Sequence, residues 1–312
     1  MDPRSDCIDF INPATGEKFG EVRMTTEEEV MLARREMAAA QITWAAKPLK
    51  ERARIVKQFQ RVVIDATDEL TAIVNQDHGK SRGDALHEIV MTVDKIHQYA
   101  RLSPKWLGRR RVPPGLYFFR RYYTERVPFG VVGIIGPWNY PIDLMLPPII
   151  AALLAGNTVV VKPSEVAAAT GVKLEELFGR VPELAPFVRF VHGDGRVGAA
   201  LVRSQPDLLF LTGSVKTGQI VARAAAERMT PFLYELGGKD PMLVLEDADI
   251  KAAAHWGVWG AFYTTGQACV SVERVYVHHK VYDAFVAAVL EETAQFSVGY
   301  SPDIDNPYRM GP

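Results

Sequence analysis

The chain has 312 residues, 48% of them hydrophobic and 23% charged, and its 36 Lys and Arg nearly balance 37 Asp and Glu. This length suffices for two domains, and the net charge of −1 argues against a nucleic-acid partner or a membrane-surface protein. Two cysteines exclude a disulfide framework, and without a signal core or an apolar run of membrane length we predict a cytoplasmic protein.

The first third of the chain reads as a β-hairpin followed by helices. Apolar runs on both sides of the turn cluster 12–16 predict the hairpin. Thr26 and Glu29 have the spacing of a capping box, so we expect a helix to begin there. The helical pattern then continues to about Leu107, with breaks predicted at Lys47-Pro48, near Gly79 and near Gly83.

Arginines bracket an aromatic segment between 109 and 128. Three arginines at 109–111 and two at 120–121 lie on either side of the run from Val112 to Phe119. Basic and aromatic residues interleave in this way in proteins that bind single-stranded nucleic acid. The alternative is a β-arm with one apolar face, which the neutral net charge favours. We therefore predict an arm.

From about residue 127 the pattern changes to apolar strands that alternate with segments of helix length. The candidate strands are Val131–Ile135, Thr158–Val161, Val188–Val191, Leu208–Leu211, Phe232–Tyr234 and Met242–Leu245. Near-continuous apolar strands separated by helices predict an α/β fold with a parallel sheet covered on both faces. Ligands bind such sheets at the carboxyl ends of the strands.

A literal G-x-G-x-x-G pattern runs from Gly193 through Gly195 to Gly198. It follows a candidate strand and opens a helix, as a dinucleotide-binding fingerprint does. The fingerprint normally follows the first strand of its sheet, however, and this one follows about the third. Ordinary turn glycines are the alternative.

Two further loops follow candidate strands and could hold a nucleotide. Gly213-Ser214 precedes a helix whose free N–H groups could bind a phosphate, although Ser214 is equally suited to a simple N-cap. Lys162 and Glu165, three residues apart, could both reach a ribose, and the carboxylate would repel a 2′-phosphate. The alternative is an acidic residue in the first turn of a helix.

Pro137-Trp138-Asn139-Tyr140-Pro141 follows the strand that ends at Ile135. The two prolines fix the loop and make Asn139 a rigidly placed donor, which suits an oxyanion that develops during a reaction. A tight turn with a buried tryptophan is the alternative.

Cys269 and Glu235 form a candidate catalytic pair. A thiolate can attack an electrophilic carbon, and a carboxylate can activate the water that releases the product. Alternatively, Cys269 is a small buried hydrophobe and Glu235 only ends a strand before Gly237-Gly238.

Taken together, these motifs resemble the aldehyde dehydrogenase superfamily in order and approximate spacing. They are Pro-Trp-Asn-Tyr-Pro at 137–141, Lys-Pro-Ser-Glu at 162–165, Thr-Gly-Ser at 212–214, Glu-Leu-Gly-Gly-Lys at 235–239 and Gly-Gln-Ala-Cys at 266–269. Asp77-His78-Gly79-Lys80 with Ala85 and Glu88 also resembles the N-terminal helical region of that family. The departures, Tyr234 and Ser271, do not touch the reacting groups.

The resemblance implies that Cys269 forms a thiohemiacetal with an aldehyde, whose oxyanion is held by Asn139 and the Cys269 N–H. Hydride transfer to the nicotinamide would leave a thioester, and Glu235 would activate the water that hydrolyses it to a carboxylic acid. NAD is the expected cofactor, and NADP is possible. The cofactor-binding residues implied are Ile135, Pro137, Trp138, Lys162, Glu165, Gly195, Gly198, Gly213 and Ser214. No metal site is predicted.

The resemblance also implies a Rossmann-type cofactor domain (1–108 and 129–235), an oligomerisation β-arm (109–128) and a partial catalytic domain (236–312). Members of the family continue beyond this length and pair their arm with a strand of another subunit, which is absent from this sequence. We therefore expect a C-terminally truncated chain. The chain is then an active enzyme, a remnant that binds NAD without turnover, or one half of a split enzyme.

Overall fold

The computed structural model describes residues 6–303 and 308–312. The helices are α1 (Glu27–Ala46), α2 (Leu49–Asp65), α3 (Thr67–His78), α4 (Arg82–Leu107), α5 (Leu146–Leu154), α6 (Ala168–Gly179), α7 (Gly195–Arg203), α8 (Val215–Ala226), α9 (Ile250–Phe262) and α10 (Tyr282–Thr293). The strands are β1 (Cys7–Ile11), β2 (Lys18–Arg23), β3 (Arg110–Val112), β4 (Tyr122–Thr124), β5 (Val131–Ile135), β6 (Thr158–Lys162), β7 (Val188–Phe190), β8 (Leu208–Gly213), β9 (Phe232–Leu236), β10 (Asp240–Val244) and β11 (Val272–Val277).

A five-stranded parallel sheet in the order β7-β6-β5-β8-β9 forms the centre of the fold. β6 pairs with one edge of β5, and β7 pairs with β6 on the same side. β8 then pairs with the opposite edge of β5. Strand order therefore reverses between β5 and β8. In open α/β sheets a crevice for ligands lies at such a reversal, outside the carboxyl ends of the strands.

Both faces of this sheet are covered at its inner strands β5 and β6, as their apolar sequences predict. Every residue of β5 and β6 is buried. Because side chains alternate along a strand, Val132 and Ile134 pack into the core beneath α2 to α5, while Val131 and Ile135 pack into a second core beneath α1, α7 and α8. The predicted α/β fold with a parallel sheet is confirmed, whereas Leu233 and Tyr234 on the edge strand β9 are 55% and 57% exposed.

The N-terminal elements also agree with the sequence patterns, with two differences. β1 and β2 form the predicted antiparallel hairpin, and Thr26 and Glu29 form the predicted capping box at the start of α1. An unpredicted break at Ala66 separates α2 from α3, and no glycine or proline marks it. Gly83 lies in the first turn of α4 and is not a break. Among the described residues, no helix is long and apolar enough to cross a membrane.

The predicted arm is an antiparallel pair of short strands, β3 and β4. Its connecting loop projects large apolar side chains into solvent, and Leu116 is 92% and Phe118 83% exposed. Arg109 lies over the ring of Tyr123, 3.8 Å from its centroid, and pairs with Glu125.

A second, two-stranded parallel sheet consists of β10 and β11. The strand predicted at 242–245 belongs to this second sheet and does not join the five preceding strands. Only residues 237–239 connect β9 to β10, whereas a parallel neighbour needs a crossover of roughly a dozen residues. The chain therefore leaves the first sheet, and β10 pairs with β11 after α9 has crossed over.

Candidate active site

A cleft of about 870 Å³ lies at the reversal between β5 and β8. All twelve residues that the sequence singled out line it. They are Ile135, Pro137, Trp138, Asn139, Lys162, Glu165, Gly195, Gly198, Gly213, Ser214, Glu235 and Cys269. The thiol, the amide and the carboxylate, far apart in sequence, therefore share one cavity with the candidate nucleotide loops.

One half of the cleft offers groups suited to a nucleotide. Lys162, the last residue of β6, is 4% exposed along its side chain and pairs with Glu165 at 2.6 Å. Ser214 caps α8 by accepting a hydrogen bond from the Thr217 N–H at 3.1 Å. A Cβ at Gly195 or Gly198 would meet no atom within 4 Å, so the first turn of α7 leaves open space at the cleft.

The loop 137–141 is anchored at both ends and aims Asn139 at the thiol-bearing segment. The Gly136 N–H donates to the Lys162 carbonyl at 3.0 Å, which joins the loop to β6. Asn139 Nδ2 donates to the Gln267 carbonyl at 2.7 Å, and this bond uses one of the two amide hydrogens. The other amide hydrogen is left for a further acceptor.

A strained turn precedes Cys269. Thr264 and Thr265 have φ values of 50° and 61°, and Gly266 follows at 70°. Left-handed backbone is uncommon for β-branched residues and costs on the order of 1–3 kcal/mol at each such position. Thr264 is 2% exposed and its hydroxyl accepts a hydrogen bond from the Tyr140 hydroxyl at 3.2 Å. Only Gly266 hinted at this turn in the sequence.

Glu235 and Cys269 are both exposed, so water reaches each of them. Their backbones meet just beyond β9, because a Cβ on Gly238 would lie 3.0 Å from the Cys269 carbonyl oxygen. Lys239 forms an ion pair with Glu273, and Glu273 lines the cleft. A nucleophile, an amide donor and a carboxylate that meets water are the groups needed for covalent catalysis followed by hydrolysis.

Two groups beside the loop have pKa values shifted by burial. Burial and the nearby Lys80 charge lower the pKa of His78 to about 3, so its ring is neutral where it stacks on Trp138, with centroids 5.7 Å apart. Burial raises the pKa of Tyr140 to about 12, which keeps its hydroxyl protonated and able to donate to Thr264.

Comparisons with known proteins identify the family of this chain. The family model "Aldehyde dehydrogenase family" matches residues 1–312. The 4,4'-diapolycopene aldehyde oxidase of a Methylomonas species is 36% identical over 301 residues, which cover 96% of this chain and 57% of the relative. The chain belongs to the aldehyde dehydrogenase family, a family of oxidoreductases.

Solved structures of the family superpose closely. Lactaldehyde dehydrogenase from Escherichia coli is 30% identical with a TM-score of 0.92, covering 99% of this chain and 65% of that one. NADP-dependent glyceraldehyde-3-phosphate dehydrogenase from Bacillus halodurans C-125, complexed with NADP, is 32% identical with a TM-score of 0.90, covering 96% and 63%. The chain thus spans about 57–65% of the length of these relatives.

Proposed function

We propose that this chain carries the cofactor cleft and nucleophile of an NAD(P)-dependent aldehyde dehydrogenase that oxidises an aldehyde to a carboxylic acid. The observation that carries the proposal is the single cleft shared by Cys269, Asn139, Glu235 and the loops at the carboxyl ends of β6 and β8. Family membership supports the reaction class.

The residues of the cleft suggest the following steps. The Cys269 thiolate bonds to the aldehyde carbon, and the carbonyl oxygen becomes an oxyanion held by Asn139 Nδ2 and the Cys269 N–H. A bound nicotinamide supplies the hydride acceptor. Loss of hydride restores the C=O bond and leaves a thioester on Cys269. Glu235 takes a proton from water, whose oxygen attacks the thioester carbon; the carbon–sulfur bond breaks, the carboxylic acid leaves, the Cys269 thiolate is regenerated, and the proton on Glu235 passes to solvent.

The cleft fits a dinucleotide, and we propose that NAD is preferred to NADP. Lys162 and Glu165 would hold the adenine ribose, and Ser214 at the N-terminus of α8 would contact the pyrophosphate. The Glu165 carboxylate would repel a 2′-phosphate. Glu165→Gln should therefore tighten NADP binding relative to NAD, by about tenfold if one charge contact of about 1.4 kcal/mol is relieved. An unchanged ratio of the two dissociation constants in calorimetry would count against this assignment.

The direct test of the reaction is Cys269→Ala assayed by NADH absorbance with a panel of aldehydes. We expect no detectable NADH formation, because the carbon would have no covalent nucleophile. Cys7→Ala is the matched control and should keep the rate of the unaltered chain, since Cys7 lies on β1 away from the cleft. Retained activity in Cys269→Ala would remove this residue from its role.

A second candidate function is NAD binding without turnover, which the exposure of Glu235 and Cys269 favours. Calorimetry with NAD beside the NADH assay separates the two, because heat without turnover supports the binding module. Turnover that appears only on adding a second polypeptide would support a split enzyme.

The remaining assignments belong to the same proposal. They are a cofactor domain formed by 1–108 and 129–235, an arm at 109–128 that joins subunits of a homo-oligomer, a partial catalytic domain at 236–312, and a cytoplasmic location. The substrate is a small-molecule aldehyde.

A further inference from the structure

A buried ion pair lies behind the cleft, outside its lining. Lys80 Nζ and a Glu88 carboxylate oxygen are 2.7 Å apart, and their side chains are 1% and 0% exposed. Removing two charges from water is not compensated by their attraction alone, unless further hydrogen bonds satisfy both groups. The other hydrogen bonds and contacts of Lys80 and Glu88 therefore show which parts of the chain the pair connects.

Glu88 holds the chain just after the loop that carries Asn139. Its second carboxylate oxygen accepts from the backbone N–H groups of Ile142 and Asp143, at 2.8 and 3.0 Å. Thr92 and Lys95 on the same helix bind the Asp143 carboxylate at 3.0 and 2.6 Å. Positions 88, 92 and 95 share one face of α4, so a single helical face fixes this stretch.

Lys80 holds the loop from the other side. Its ammonium lies 4.0 Å from the centroid of the Tyr140 ring, whose hydroxyl donates to Thr264 in the strained turn. Asn139, next to Tyr140, donates to Gln267 within the same thiol-bearing segment. A continuous set of contacts therefore runs from the buried pair through the loop 139–143 to 264–269.

We propose that the Lys80–Glu88 pair is a positioning unit for the oxyanion donor Asn139 and, through Tyr140, for the strained turn that presents Cys269. The proposal rests on the proposed function, because it assigns a task to residues of that site. Neither residue touches substrate or cofactor. Both act by fixing loop 139–143 relative to the segment 264–269.

Two double variants distinguish the effect of the Glu88 oxygen that accepts from the Ile142 and Asp143 N–H groups from the effect of the two charges. Lys80→Met with Glu88→Gln removes both charges but keeps an amide oxygen that can accept from Ile142 and Asp143. Lys80→Met with Glu88→Leu removes the charges and the acceptor together. Hydrogen–deuterium exchange followed by mass spectrometry then compares segments 136–145 and 262–271 with a control segment in α8.

We expect the Leu double variant to exchange about tenfold faster than the Gln double variant in both segments, equivalent to about 1.4 kcal/mol of local opening. The control segment should not change. Exchange at 262–271 that stays unchanged in the Leu double variant would overturn the proposal. A merely local structural role would alter 136–145 alone.

Tyr140→Phe provides a test that does not depend on the stability of the double variants. It removes the hydroxyl that bonds Thr264 and keeps the ring beneath Lys80, so exchange should accelerate at 262–271 and not at 136–145. Unchanged exchange at 262–271 in Tyr140→Phe would also overturn the link to the strained turn.

Activity gives an independent outcome. If the chain turns over aldehyde, the Leu double variant should lower kcat about tenfold and leave the dissociation constant for NAD unchanged, because Lys162 and Glu165 lie outside these contacts. A loss of NAD affinity equal to the loss in kcat would contradict a positioning role. The exchange experiment needs no turnover, so failure of the proposed reaction and failure of this proposal are distinguishable.

Discussion

The inner strands of the five-stranded sheet and the strands of the β10–β11 sheet differ in how deeply they are buried. β5 and β6 are buried along their whole length, whereas Leu243 on β10 is 69% exposed and Tyr276 on β11 is 55% exposed. The side of the cleft formed by the loops after β5 and β6 is therefore built on a packed core. Cys269 lies on the segment just before β11, in the more exposed part of the molecule. Its position depends on a few hydrogen bonds to the loop that follows β5.

The largest expected effect tests this difference in packing. Phe59 is fully buried and stacks on Phe178 with ring centroids 4.0 Å apart. Phe59→Ala should lower the free energy of unfolding by about 3–5 kcal/mol, whereas Leu243→Ala should change it by less than about 0.5 kcal/mol. Urea denaturation measures both. Similar losses would show that the open sheet contributes as much stability as the buried one.

The second test uses pH. Burial lowers the pKa of His78 in the folded state to about 3, below the ordinary value of about 6.5. The folded state therefore favours the neutral ring. This contribution to the free energy of unfolding is fully present above pH 6.5 and is lost as the pH falls. At pH 5 the loss is about 2 kcal/mol. His78→Phe should remove that part of the pH dependence between 6.5 and 5. Parallel stability curves for the two proteins would contradict it.

The smallest expected change in stability concerns the strained turn at Thr264 and Thr265. Thr265→Gly should raise the free energy of unfolding by about 1 kcal/mol, because glycine adopts positive φ without steric cost. Thr265→Ala keeps the strained backbone and is the control, which should give no gain. Thermal unfolding compares the three proteins. Equal stability of the Gly and Ala variants would place the strain elsewhere.

Much of the fold and site follows from local sequence patterns. Strands β5 to β9 are apolar runs, and each was predicted to within two residues of its observed bounds. The site residues were predicted because each follows a strand that ends at the same edge, or matches a family motif. β11 was missed, since its sequence Val-Glu-Arg-Val-Tyr-Val gives only partial alternation.

What could not be predicted depends on contacts between distant parts of the chain. Lys80 and Glu88 belong to the charge-rich N-terminal part of the chain, yet their side chains are buried against each other. Nothing in the local pattern distinguishes them from exposed charges, because their burial results from packing against residues 140–143. The left-handed Thr264 and Thr265 are equally invisible, since threonine rarely adopts that conformation.

The order of the elements along the chain also has a consequence for biosynthesis. All five strands of the parallel sheet lie between Val131 and Leu236, and Cys269 comes later. Domains generally fold as units from the N-terminal side while the ribosome is still adding residues. A nascent chain can therefore assemble its five-stranded sheet before Cys269 leaves the exit tunnel, so the thiol emerges next to strand ends that are already in place.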